Sequence, residues 1–168
     1  MMKMKKIIYF MALCLFVLQS CKKDEVAGGT AVQDMAGEWW VQVQVINTAD
    51  GSVVEPFSDD YYSLSTYNTS DNSPNQMWMD DSKSYYGLKA KVNVDYANKT
   101  FSATDADENY FGVKVTIKNG KIIKDGAIGP VSQDATDAIS YDAIFSDDPG
   151  HTYQFKGYHR TKFAGDDH

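Results

Sequence analysis

Trp39-Trp40-Val41-Gln42-Val43-Gln44-Val45 puts Trp39, Val41, Val43 and Val45 on one side of an extended chain and both glutamines on the other. That two-residue period is the mark of a strand with one dry and one wet face. Further along, Leu88, Ala90, Val92 and Val94 alternate with Lys89, Lys91 and Asn93, and Val113, Val115 and Ile117 alternate with Lys114, Thr116 and Lys118. Strands are also predicted at 61–68, 76–80, 99–103, 138–145 and 152–162. Turn-forming clusters such as Asn72-Ser73-Pro74-Asn75 and Asp147-Asp148-Pro149-Gly150 separate them. Asn119-Gly120 has the chemistry of a type I′ turn and predicts that 113–118 and 121–125 are neighbouring strands of a hairpin. No window from Gly37 onward supports a long amphipathic helix. Eight or nine short strands of antiparallel character predict an all-β fold, a closed barrel of about eight strands rather than a sandwich.

The first twenty residues do not belong to this pattern. Of the chain's 168 residues, 1–20 hold fifteen apolar side chains and three of the 16 basic ones, Lys3, Lys5 and Lys6. The apolar run Ile7 to Leu18 is too short to span a bilayer and fits a secretory signal. Leu18-Gln19-Ser20-Cys21 resembles the bacterial lipobox, in which the cysteine is acylated and becomes the mature N-terminus. Residues 1–20 are therefore expected to be a lipoprotein signal peptide and Cys21 the lipid attachment site, with the membrane contacted only through that lipid. Lys22-Lys23-Asp24-Glu25 resembles the tether signals that send some Bacteroidetes lipoproteins outward, which predicts an outer-membrane, surface-exposed location. Residues 21–34 read as the lipidated cysteine and a flexible tether, and 35–168 as one domain.

Without the leader, 13 basic side chains remain against 23 acids, a net charge of −10. A surface this acidic argues against nucleic acid as a partner. Cys14 leaves with the leader and Cys21 is taken by lipid, so disulfides, thiol nucleophiles and thiolate metal sites are excluded from the folded part.

Gly37-Glu38-Trp39 resembles the Gly-x-Trp that opens the first strand of lipocalins and other calycins, and Arg160, the one arginine of the sequence, falls on the last predicted strand. In that superfamily a late cation packs over the tryptophan and closes one end of the barrel, a contact worth about 1–2 kcal/mol. The pair Trp39 and Arg160 is the expected closure. Over residues 35–165 the chain also carries Gly37-Glu38-Trp39-Trp40, Tyr67-Asn68-Thr69-Ser70, Trp78-Met79-Asp80-Asp81, Lys118-Asn119-Gly120-Lys121, Asp147-Asp148-Pro149-Gly150 and Gly157-Tyr158-His159-Arg160-Thr161-Lys162-Phe163. With these it resembles the Bacteroidetes lipid-binding putative hydrolase family. The resemblance implies a calycin-like barrel on a lipoprotein and carries over no catalytic residue.

Signals for chemistry are sparse. There is no Gly-x-Ser-x-Gly elbow, and only His151, His159 and the terminal His168 offer imidazoles. His151 reads as a loop histidine beside the Asp-Asp-Pro-Gly turn, and His159 as structural. No pair of histidines has metal-ligand spacing. Asp105-Ala106-Asp107-Glu108-Asn109 opens like a calcium loop, then departs, with Tyr110 where glycine belongs and Thr116 where a glutamate belongs. No cofactor and no metal is implied, and the balance leans away from an enzyme.

Strand alternation points Leu64, Met77, Met79, Leu88, Val92, Tyr141, Tyr153 and Phe155 inward, either as a solid core or as the lining of a site for one small apolar ligand such as a lipid or fatty acid. Tyr61, Tyr67, Tyr85, Tyr86, Tyr96 and Tyr110 lie in polar context and suggest a second reading, a surface that binds glycans or a protein. A lipid or ester hydrolase is a third. The barrel with an apolar ligand is the leading expectation.

Overall fold

The computed structural model describes residues 29–168. The signal peptide, Cys21, the Lys22-Lys23-Asp24-Glu25 signal and the first part of the tether lie outside the described residues. Nine strands follow in order: β1 (Gly37–Asn47), β2 (Val53–Glu55), β3 (Tyr62–Asn68), β4 (Gln76–Asp80), β5 (Lys89–Asp95), β6 (Thr100–Asp107), β7 (Lys114–Ile128), β8 (Ala135–Phe145) and β9 (Asp148–His159). The helical pieces among the described residues are two short 3-10 turns, Gln33–Met35 and Ala164–Asp166, and no helix there is long and apolar enough to cross a membrane.

Every pairing is antiparallel, and β1 closes the ring by pairing β9 from Trp39↔His159 to Asn47↔His151. Eight strands form the closed barrel. The short β2 lies on β1 beyond the reach of β3, which uses the other half of the same edge. Closure leaves no long open sheet edge to recruit another chain. The alternation seen in the sequence is the alternation of burial: Trp39, Val41, Val43 and Val45 are buried, as are Ala90, Val92 and Val94.

The hairpin expected at Asn119-Gly120 is not there. Residues 114–118 and 121–125 are not paired neighbours; they are parts of one long strand, β7, whose register steps by one extra residue against β6 between Ile117 and Gly120 and against β8 between Lys118 and Lys121. Asn119 does take the left-handed conformation, at φ 54°, but one such residue makes a bulge and not a reversal. Gly120 is required by a close approach, since a Cβ there would stand 2.3 Å from the Phe101 carbonyl oxygen. The true reversal comes after Ile128, and the bulges at Asp105, Asn119 and Asp125 add the twist that a closed barrel needs.

The tether also ends earlier than expected. Val32 and Met35 have no exposed surface and belong to the core. Ala31 N–H donates to Asn72 Oδ1, and Lys99 pairs with Asp34 at 2.9 Å. The segment forms a plug across the end of the barrel where β1 starts, here called the tether end. At the opposite end, the mouth, the loop between β4 and β5 folds inward.

Candidate functional site at the barrel mouth

The β4–β5 loop is built around two adjacent acids. Asp81 accepts from the backbone N–H of Lys83 at 2.8 Å and of Gly87 at 3.0 Å, and Asp80 accepts from Ser82 N–H at 2.9 Å. Ser82, Lys83 and Gly87 are all left-handed. At Gly87 this matters twice, because φ is 91° and a Cβ would lie 2.3 Å from the Phe111 ring. The loop so constrained turns Tyr85, Tyr86 and Leu88 toward the barrel, where both tyrosines pack against the core.

Tyr86 stacks on Phe145 with ring centroids 3.7 Å apart, and its hydroxyl donates to Asp147 at 3.0 Å. Burial, then this carboxylate, pushes its pKa up to about 12. Tyr85 sits between Tyr62 (4.8 Å), Phe155 (5.8 Å) and Tyr153 (6.0 Å). Behind them Tyr141 stacks on Phe155 at 4.6 Å. A continuous aromatic column thus runs from the loop into the middle of the barrel.

All eight side chains expected to point inward do so and are brought together. Leu64, Met77, Met79, Leu88, Val92, Tyr141 and Phe155 are members of one buried core cluster, and Tyr153 packs on its rim. Tyr141 is 2% exposed, and its hydroxyl takes no hydrogen-bond partner among the described residues; burial and the charge of Asp81 hold its pKa well above the ordinary value. Among those residues no fully enclosed side-chain nitrogen or oxygen lacks a partner.

The expected closure by Arg160 over Trp39 is replaced by a different arrangement. The guanidinium turns to Asp167, at 2.6 Å from both Nε and Nη2, and to Glu38 at 2.9 Å. The indole of Trp39 is met by His159, edge to face at 5.0 Å, and its N–H donates to Thr66 Oγ1 at 2.8 Å. A bidentate partner attracts a guanidinium more strongly than an indole face does. The glycine of Gly-x-Trp gains a reason, since a Cβ on Gly37 would stand 2.2 Å from His159 Nε2.

The other candidates also find definite places. His151 lies on β9 and not in a loop, with Nδ1 at 2.9 Å from Asp148, which also accepts from the Tyr153 hydroxyl at 2.6 Å. These contacts, Tyr153 first, hold Asp148 below the usual carboxylate range. The imidazole bonds only to Asp148 among the described residues, so no nucleophile is joined to it. In the calcium-like stretch, Asp105 is a bulge residue, Asp107 pairs with Lys114, and Glu108 is buried and accepts from the backbone N–H groups of Lys89, Tyr110 and Phe111. Its oxygens are occupied by structure. Tyr85 and Tyr86, grouped from sequence with the exposed tyrosines, are instead the inner face of the loop. The signal in the sequence was Asp80-Asp81 followed by Tyr85-Tyr86-Gly87, a capping pair and a glycine that turn the chain back.

Asp80 fastens the loop to the wall. Burial acts to raise its pKa, but Lys89 at 2.7 Å and the hydroxyls of Tyr110 and Tyr67, with the Ser82 amide, outweigh burial and hold it at about 2. A depressed carboxylate stabilises the fold fully above its unfolded pKa near 3.8 and loses that contribution as pH falls through about 2. The difference corresponds to about 2 kcal/mol. Asp80→Asn is expected to lower stability at pH 7 and to flatten its decline between pH 4 and pH 2. Denaturant titrations at pH 7, 4 and 2 check this, and parallel curves for parent and variant would count against it.

The chain's likeness to known proteins is limited in number. No curated protein matches it. A solved structure of a structural-genomics protein of unknown function from Bacteroides ovatus, at 2.40 Å resolution, matches with 14% identity and a TM-score of 0.47. The match covers 77% of this chain and 42% of that one, so the chain spans less than half the length of that protein. The family described as lipid-binding putative hydrolase matches residues 24–164, from the tether through β9 and nearly to the C-terminus, and the protein belongs to that family.

Proposed function

We propose that this protein binds one lipid-like molecule inside the barrel, without chemistry, while acylated Cys21 tethers it to the outer membrane, facing the cell surface. The observation that carries the reading is Tyr141, whose side chain is buried among methionine, leucine and aromatic groups and whose hydroxyl has no protein partner among the described residues. Met77 and Met79, both fully buried, have unbranched side chains that can repack around an acyl chain. The family's name, which pairs lipid binding with hydrolysis, agrees with the first half. The lone His151–Asp148 pair gives no support to the second.

The barrel and both of its closing segments are contained in residues 29–168, so that piece can be tested alone. Native mass spectrometry is expected to show an apolar adduct after purification. The neutral probe N-phenyl-1-naphthylamine is expected to bind, with affinity reduced about fivefold to tenfold in Tyr141→Phe, the value of one hydrogen bond. Absence of both adduct and probe binding would overturn the reading.

A further inference from the structure

We infer that the tether end of the barrel docks on the bilayer, with Val131 and Phe163 as a shallow apolar wedge among the lipid headgroups, adding a second hold on the membrane to the acylated cysteine. The inference rests on the anchoring by Cys21 proposed above and concerns which face of the domain that anchor brings to the lipid.

Both side chains stand at the same end of the barrel as the tether. β7 ends at Ile128 and β8 begins at Ala135, and Ala138 on β8 is level with Trp40, near the start of β1, through Tyr158 between them. The β7–β8 turn and the segment after β9 therefore lie beside the plug, and Asp34 of the plug lines one surface hollow with Lys124 of β7 and Asp137 of β8.

Val131 is 62% exposed and Phe163 48%. A Cβ placed on Gly165 would stand 2.7 Å from the Phe163 ring and 3.2 Å from Val131 Cγ1, so the two side chains flank a single point and form one apolar patch. Ile128, three residues before Val131, is exposed as well. These groups do not ride on a loose loop. Buried Asp166 staples the two segments together: its carboxylate accepts from Val131 N–H at 2.7 Å, from the N–H and hydroxyl of Ser132 at 2.9 and 2.6 Å, and from the Thr161 hydroxyl at 2.7 Å. Its carbonyl accepts from the Tyr158 hydroxyl at 2.6 Å. The frame holds Val131 and Phe163 out in water, where apolar surface is unfavourable until something covers it.

The anchor selects the cover. Gly29 follows Cys21 by 29 − 21 = 8 residues, and that length of chain reaches at most about 30 Å when fully extended. An acyl group on Cys21 thus keeps the tether end near the bilayer surface. The mouth also exposes apolar side chains, Phe111, Val53 and Val54, but lipid reaches them only if the same chain is drawn out along the barrel wall, which costs it conformational freedom. With 13 basic against 23 acidic side chains after the leader, the domain has no general electrostatic attraction to a membrane, so the contact has to be apolar. Lys162, exposed next to Phe163, can meet a headgroup phosphate. Docked in this way, the mouth points away from the bilayer and toward the surrounding medium.

Residues 21–168 contain one thiol, that of Cys21. A maleimide-headed phospholipid couples it to phosphatidylcholine vesicles in place of the natural acyl group, and brominated acyl chains in those vesicles report which ring approaches lipid. Tryptophan fluorescence of Phe163→Trp, after subtraction of the parent's signal, is expected to be quenched about twofold or more beyond that of Phe111→Trp, an exposed ring at the mouth. Adding Val131→Asp to Phe163→Trp is expected to remove the excess. Equal quenching of the two reporters, or stronger quenching of Phe111→Trp, would overturn the docking, because the bilayer then meets no preferred face or meets the mouth. Since the coupling is chemical, that result is independent of acylation in the cell. The anchoring reading is tested by incorporation of labelled palmitate into the full chain and its loss in Cys21→Ser; no incorporation into the parent overturns that reading and this inference with it.

Discussion

Met35→Ala is expected to lower the stability of the barrel by about 2–5 kcal/mol, the range for removing a fully buried methionine side chain, and so to lower Tm by roughly 4–20 °C. Met35 has no exposed surface although it adjoins a stretch that reads as linker. Its carbonyl accepts from the Thr66 hydroxyl at 2.7 Å, and that hydroxyl in turn accepts from the Trp39 indole at 2.8 Å. Truncation removes the apolar group that fills the tether end and loosens a hydrogen-bond relay that fixes the orientation of Trp39. The neighbouring Asp34→Ala breaks exposed contacts, among them an ion pair with Lys99, and is expected to cost less than about 1 kcal/mol. Chemical denaturation of both variants checks the contrast. If Met35→Ala falls within 1 kcal/mol of the parent, the plug is an ornament of the barrel and not part of its core.

The readable part of this fold was the part governed by alternation. The buried side of β1 is the one predicted from Trp39 to Val45, and β4 occupies the predicted residues 76–80. The inward set of eight side chains was legible for the same reason, since period two assigns each residue a face once the strand is known. What failed depended on context that a local pattern does not contain. Asn119-Gly120 carries real turn chemistry, yet β6 and β8 pair with the strand on both sides of it and turn the same backbone preference into a bulge. Val32 and Met35 are too few to show a period, and their burial is decided by a barrel end that needs filling. Arg160 was read against Trp39 because the resemblance to calycins pairs a late cation with the first-strand tryptophan. Asp167, seven residues further along and beyond the last strand, captured it instead. The inward loop was hidden because tyrosines next to lysine and serine look solvated, whereas Asp81 and Gly87 reverse the chain and turn them in.

Tyr85→Ala is expected to open the mouth, accelerating entry of a neutral apolar probe at least tenfold while lowering stability by about 1–3 kcal/mol, less than the full cost of a buried aromatic because the side chain is only half-buried. Of the two tyrosines on the loop, Tyr86 is the fixed one, stacked face to face on Phe145 and hydrogen-bonded to Asp147. Tyr85 is held by tilted and edgewise ring contacts alone, and its hydroxyl has no hydrogen bond among the described residues. It also stands over Phe155, which stacks on Tyr141, so it lies between the loop and the Tyr141 side chain. Movement of Tyr85 with Tyr86 as pivot is therefore the least costly way to expose the interior, because it breaks no hydrogen bond of the Asp80–Asp81 frame. Stopped-flow fluorescence of probe binding, run beside Tyr86→Ala, separates the roles. Tyr86→Ala is expected to lower stability more and to speed entry less. If Tyr85→Ala weakens the fold but leaves the association rate unchanged, the ligand enters elsewhere, and the plug at Val32 and Met35 becomes the segment that must yield.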